Sequence, residues 1–245
     1  DSAGRIARSV HIQVGARPED ELAETAFIEE CARASDYAFP AAAVFALDMG
    51  QEDISAELED HLASKVSRGA RHMIGKSPEE NPSLPPFLQE KWVPNFRRLA
   101  DRGVSFDLQL TEDQYGMVLD ALGKAPELGV AMCHLASPWD RSAAGFRRWG
   151  EWMKRFADLP NSTMKISGLT MFTKRWEEDT FMRYAERSLE IFGAGRCMLG
   201  SNYPVDSLYV SYATLFDAWK ELAARCSPAE RVHLAGGTAT RFYRL

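Results

Sequence analysis

Cysteine is scarce in this chain, with four among 245 residues. Cys31, Cys133, Cys197 and Cys226 stand far apart and form no C-x-x-C pair. That excludes a disulfide-knotted scaffold and marks them as small buried residues of a reducing compartment. Long apolar runs are missing too. None approaches the roughly 18 residues of a membrane span, so no membrane contact is expected and the cytoplasm is the expected location. Basic blocks are absent, and 35 acidic residues face 29 basic ones for a net charge of −6. Such a balance repels a phosphate backbone, and no nucleic-acid partner is expected. Neither G-x-G-x-x-G nor G-x-x-x-x-G-K follows any apolar run, so no phosphate-cradling loop is encoded. No G-x-S-x-G elbow presents a serine nucleophile.

What is present is ordinary in bulk: 45% hydrophobic and 26% charged, with 17 glycines and 12 prolines. A disordered tail and a collagen-like fibre are thereby excluded. Short β-rich runs recur at 9–14, 43–47, 70–74, 104–110, 130–135, 163–167 and 196–200. Between them lie amphipathic stripes: Leu22, Ala26, Phe27 and Cys31; Leu58, Leu62 and Val66; Trp92, Phe96 and Leu99; Met117–Leu122. Further stripes are Phe146, Trp149, Trp152, Met153 and Phe156, then Phe181–Phe192 and Tyr212–Leu222, with a short helix at Pro228. Strand alternating with helix argues a parallel sheet with right-handed crossovers. An open doubly wound sheet normally has five or six strands, whereas an eight-unit barrel fills about 250 residues. The expected fold is therefore α/β, a (β/α)8 TIM barrel forming one domain over residues 1–245. The chain opens at Asp1 without a methionine and reaches its first strand almost at once, so the expected barrel lacks its first strand.

In such a barrel, polar groups near the C-terminal ends of strands point into the site, and a charge inside a strand is costly unless paired or functional. This singles out Gln13, Arg71, His72, Asp107, Gln109, His134, Lys165, Ser167 and Asn202. His134 ends an apolar strand, where a neutral imidazole can ligate a metal or act as acid and base; a core histidine bonded to a carbonyl is the alternative. Arg71 can clamp a substrate carboxylate through two parallel hydrogen bonds. Lys165 can hold the same anion or polarise a carbonyl. Both can instead form an internal ion pair with Asp107. Asn202 can orient a water, and Asp206 can serve as general base if its loop folds back, or cap the next segment. His11, early in its strand, reads as structural, and His61 and His233 as surface residues. The proline-rich stretch 76–89 either lines the mouth of the barrel or merely connects.

Taken together, the segments 10–13, 69–72, 106–110, 134–141, 164–169, 196–206 and 241–245 resemble the amidohydrolase-2 family of TIM-barrel metal-dependent hydrolases, in its lactonase-like branch. The resemblance runs from about residue 9 to the end. It implies a hydrolase that opens a carboxylated lactone or related cyclic ester, with His134 at the reaction centre and Arg71 and Arg141 holding substrate carboxylate. Trp139 and Tyr203, inside the matching stretches, join the expected substrate-binding residues. Three positions depart from the family pattern. No His-x-His pair precedes His11, Asn202 stands where the family has an acid, and Thr238 where it has an asparagine. The expected catalytic set is thus His134, Asn202, Asp206 and Lys165, with no cofactor required; His134 is the best metal candidate, for a divalent ion such as zinc if a His-x-His strand precedes residue 1. A decarboxylase on the same barrel and a non-catalytic binding barrel are the rival readings. The expected partner is a small-molecule carboxylate, with a homo-oligomer allowed.

Overall fold

The computed structural model describes residues 6–35, 39–75 and 88–245. The stretch 76–89, expected to line the mouth or connect, falls outside them apart from the backbone of its last two residues. Among the described residues seven strands form one sheet in chain order, and every pair is parallel. They are β1 (Val10–Ile12), β2 (Ala42–Ala46), β3 (Ser67–Met73), β4 (Ser105–Gln109), β5 (Val130–Met132), β6 (Ser162–Ile166) and β7 (Cys197–Leu199). Each expected run became a strand. The helices between them are α1 (Glu21–Ala34), α2 (Ser55–Leu62), α3 (Leu88–Asp101), α4 (Tyr115–Leu122), α5 (Ala143–Ala157), the short α6 (Thr170–Thr173), α7 (Glu178–Phe192) and α8 (Tyr212–Ala224). Two more, α9 (Pro228–Val232) and α10 (Thr238–Tyr243), follow. Serines start three of them. Ser142, Ser211 and Ser227 accept from the amides of Gly145, Thr214 and Glu230, satisfying donors that a helix start leaves open.

Side chains of a strand alternate between faces, and here the two faces differ in kind. Phe106 and Leu108 of β4, Val130 and Met132 of β5, and Met164 and Ile166 of β6 join helix residues such as Trp149, Met153 and Phe156 in one large core. Fully burying such a side chain is worth about 1.5–3 kcal/mol. The intervening positions turn to the other face, where Val44, Ala131 and Met198 of β2, β5 and β7 meet Tyr243 of α10. Side chains from strands so far apart in the order can share a cluster only if the sheet curls. The architecture is a curled seven-stranded half-barrel, helices outside, with the closing helix set into its hollow. No described helix is long and apolar enough to cross a membrane.

Two local expectations change. The fifth run, read as 130–135, leaves the sheet at Met132, because His134 and Leu135 take positive φ angles of 52° and 56° rather than extended backbone. His61, read as a surface residue, is 1% exposed: it stacks on Phe45 at 4.4 Å and shares a 2.9 Å hydrogen bond with Thr25 Oγ1. The helical stripe around it showed its apolar neighbours, not the aromatic ring waiting on β2.

Candidate active site

The hollow of the half-barrel carries charge. Arg71 of β3, Asp107 of β4 and Lys165 of β6 are all buried there. Lys165 Nζ forms an ion pair with Asp107 Oδ2. Tyr243 Oη donates to both oxygens of the same carboxylate, at 2.8 and 3.1 Å, and its ring centroid lies 5.3 Å from Lys165 Nζ. Of the three roles open to Lys165, the internal pair is the one formed here. Arg71 has no such partner: among the described residues no carboxylate lies within ion-pair distance of it. Its Nη2 donates to the carbonyl of Gln13, and its buried Nε has no partner among the described residues. Among the described side chains of the hollow, one negative and two positive groups leave an excess cation. Burial raises the pKa of the neighbouring Cys133 thiol and keeps it a poor nucleophile.

His134 sits at the rim of this group. Desolvation first, and then the charges of Arg71 and Lys165, lower its pKa from 6.5 to about 3, so the imidazole is neutral near pH 7. His134 Nδ1 and Ser167 Oγ share a 3.0 Å hydrogen bond. The ring lies against Gly168, where an added Cβ would come within 2.4 Å of Nδ1. The backbone beneath it is unusual. His134, Leu135, Ala136 and Ser137 have φ of 52°, 56°, 55° and 58°. Left-handed backbone costs a residue with a Cβ about 1–2 kcal/mol, and none of these four is glycine, asparagine or aspartate. Strain of this kind persists only where its surroundings over-determine it.

On the far side of the β6 loop, burial raises the pKa of Asp206, which is 2% exposed, while Thr170 and Asn202 beside it act in the opposite direction. Asn202 Nδ2 donates to Asp206 Oδ1 at 2.8 Å, and the Asp206 amide donates back to the Asn202 carbonyl at 3.0 Å. Both bonds lie within the loop itself. Ser211, not Asp206, caps the next helix. Ser167 touches His134, and Thr170, three residues on, lies beside Asp206, its buried Oγ1 without a hydrogen-bond partner among the described residues.

The remaining expected residues are distributed unevenly. Gln13 is buried at the end of β1, and Gln109 shares the inward register of Asp107 on β4. His72 alternates to the opposite face from Arg71; its Nδ1 accepts from the Met49 amide at 3.1 Å and stands 3.6 Å from Asp48. Arg141 Nη1 donates to the carbonyl of Trp139 at 2.9 Å, within its own loop, and the Trp139 ring packs edge-on against Phe172. Tyr203 spends its hydroxyl on the Val210 carbonyl and packs against Tyr212 of α8. None of these last four has a described contact with the Arg71–Lys165–His134 group. His11 Nε2 and Glu24 Oε1 share a 2.7 Å hydrogen bond. A groove of about 500 Å³ lies elsewhere, outside the barrel along α7. Of its three arginines, Arg187 and Arg225 are paired with Glu190 and Glu186, and Arg183 lies over the rings of Phe146 and Tyr184.

Sequence reasoning missed Tyr243, Gly168 and Thr170 as parts of the site. Tyr243 and Gly168 lay inside the matching segments 241–245 and 164–169, which was the one hint of them. As for a metal, no three described His, Cys, Asp or Glu side chains come together. The central imidazole faces two cations, which oppose a third. The described side chains fit an anion here and do not fit a divalent cation.

A family model described as Amidohydrolase matches residues 3–245. An L-fucono-1,5-lactonase of Burkholderia multivorans is 30% identical over 246 residues, covering 91% of this chain and 77% of that protein. The uncharacterized protein y4mH of Sinorhizobium fredii is also 30% identical, over 98% of this chain and 81% of its own. Among solved structures, an amidohydrolase from Burkholderia multivorans with bound HEPES superposes with a TM-score of 0.84 at 26% identity, covering 99% of this chain and 85% of that one. A second crystal form with zinc gives 0.81 at 25% identity, with the same coverage.

Proposed function

This chain belongs to the amidohydrolase family, and from that membership we propose that it opens a carboxylated lactone or related cyclic ester by hydrolysis. The observation that carries the reading is Arg71, a buried guanidinium with no carboxylate partner among the described residues. A buried cation without a counter-charge is costly, and a substrate carboxylate supplies that charge in the planar geometry a guanidinium prefers. The lactonase relative supports the choice of bond.

In this reading the substrate carboxylate docks on Arg71 and the ring carbonyl turns toward Lys165 and His134. Asp206, whose pKa is raised by burial, takes a proton from water as the water oxygen bonds to the carbonyl carbon. A raised pKa makes the carboxylate a stronger base, closer to the operating pH. The oxygen of the former carbonyl gains the negative charge, which the excess positive potential of the hollow stabilises. The tetrahedral intermediate then reforms the carbonyl and expels the ring oxygen, which takes the proton back from Asp206. His134, neutral, positions the water or the carbonyl by hydrogen bonding. Asn202 holds the base in place.

The test is ring opening of 2-pyrone-4,6-dicarboxylate and of uncharged L-fucono-1,5-lactone, each followed by NMR. The expected result is hydrolysis of the carboxylated lactone, with Arg71→Met raising KM for it and not for the uncharged one. Release of CO2 with the ring intact would put the chain among decarboxylases. Tight dicarboxylate binding without turnover would make it a binding barrel.

A further inference from the structure

The left-handed turn under His134 has an accounting that points beyond the site itself. Every carbonyl from Cys133 to Ser137 accepts a hydrogen bond. Three bonds are local: the amide of Ala136 to Cys133 O at 2.8 Å, Ser137 to His134 O at 3.0 Å, and Trp139 to Ser137 O at 2.9 Å. The two central carbonyls cannot be served by the turn. Trp149 Nε1, from α5, donates to Leu135 O at 2.7 Å, and Tyr115 Oη, from α4, donates to Ala136 O. Both donors are buried, at 2% and 1% exposure, and Leu135 and Ala136 are fully buried. Water is therefore no substitute for either bond. The two rings are also fixed from behind, Trp149 by Phe146 and Tyr184, and Tyr115 by Trp152 and Phe156.

We propose that Trp149 and Tyr115 are positioning residues for His134: two donors on the outer helices clamp the turn that aims its imidazole into the hollow. This rests on the reading of His134 as part of the hydrolytic site. Losing one donor leaves a buried carbonyl unsatisfied, and the turn relaxes toward right-handed backbone, carrying the ring off Ser167 and Gly168. A misplacement of about 1 Å can cost about 10²-fold in rate.

The experiment uses Trp149→Phe and Tyr115→Phe, which keep a ring and delete one donor each, in the full chain. Trp219→Phe is the control, since it removes a buried indole N–H that has no partner among the described residues. The His134 ring signals, assigned by their loss in His134→Gln, are followed by 1H–13C NMR beside kcat and KM. The expected result is displaced His134 signals and a kcat lowered by about 10²-fold with KM little changed, in both variants and not in the control. Unmoved His134 signals in folded Trp149→Phe and Tyr115→Phe would overturn the proposal. Should Trp149→Phe fail to fold, Tyr115→Phe carries the same readouts. Displaced signals with kcat unchanged would support the clamp and overturn the catalytic reading, provided His134→Gln also turns over normally.

Discussion

Replacing Gly168 with alanine tests the packing at the centre of the site. An alanine Cβ there would lie 2.4 Å from His134 Nδ1, 2.7 Å from Cγ and 3.0 Å from Cβ, against an ordinary carbon contact of about 3.5–4.0 Å. The imidazole has to leave, and its bond to Ser167 goes with it. Gly168 also has φ of +65°, which costs alanine about 1–2 kcal/mol. Forcing a methyl into a packed contact adds about 1–3 kcal/mol, so a total loss of about 2–5 kcal/mol is expected. Gly103 provides the internal reference: its φ is +64°, with nothing within 4 Å of an added Cβ. Gly103→Ala therefore bears the backbone cost alone. Urea unfolding of both variants, followed by tryptophan fluorescence, isolates the clash as the difference between them. The same samples should show displaced His134 signals for Gly168→Ala only. If Gly168→Ala loses no more stability than Gly103→Ala, the close seating of the imidazole on residue 168 is refuted.

Three further outcomes are expected. Asp107→Asn, which strands the buried Lys165, should cost about 3–5 kcal/mol, while Asp107→Leu with Lys165→Met should recover most of it; equal losses in urea for the two would refute a buried pair. The pH dependence has a definite sign. The folded-state pKa of His134 is depressed from 6.5 to about 3, so its contribution to stability is complete above pH 6.5. It is lost as acid protonates the unfolded chain first, down to about pH 3, by up to about 5 kcal/mol. Urea midpoints of the wild type should fall over that window relative to His134→Gln, and parallel curves would contradict the burial of a neutral imidazole. Asp206→Asn should keep the fold, since Asn202 can still donate to it, yet lower kcat by about 10²–10⁴; unchanged turnover would remove Asp206 as the base.

Much of the fold was legible in the order of the residues. Seven β-rich runs spaced by amphipathic stripes became seven parallel strands in the same order, because periodicity and burial along one strand or helix are properties of a short stretch of chain. The inward charges were legible for a related reason. Arg71, Asp107 and Lys165 interrupt apolar runs at positions where an exposed side chain was not expected, and such a cost is tolerated only for pairing or chemistry. What the runs did not carry was how these charges are shared. Lys165 takes Asp107, Arg71 is left over, and Tyr243 reaches Asp107 from 136 residues away. These partners are set by the curl of the sheet, which brings β3, β4, β6 and the closing helix to one hollow. The left-handed turn at His134–Ser137 left little mark either, because of its four residues only the histidine is of a type enriched in that backbone. Its conformation is imposed by Trp149 and Tyr115 on separate helices, and contacts between distant segments exist only after the chain has closed around them.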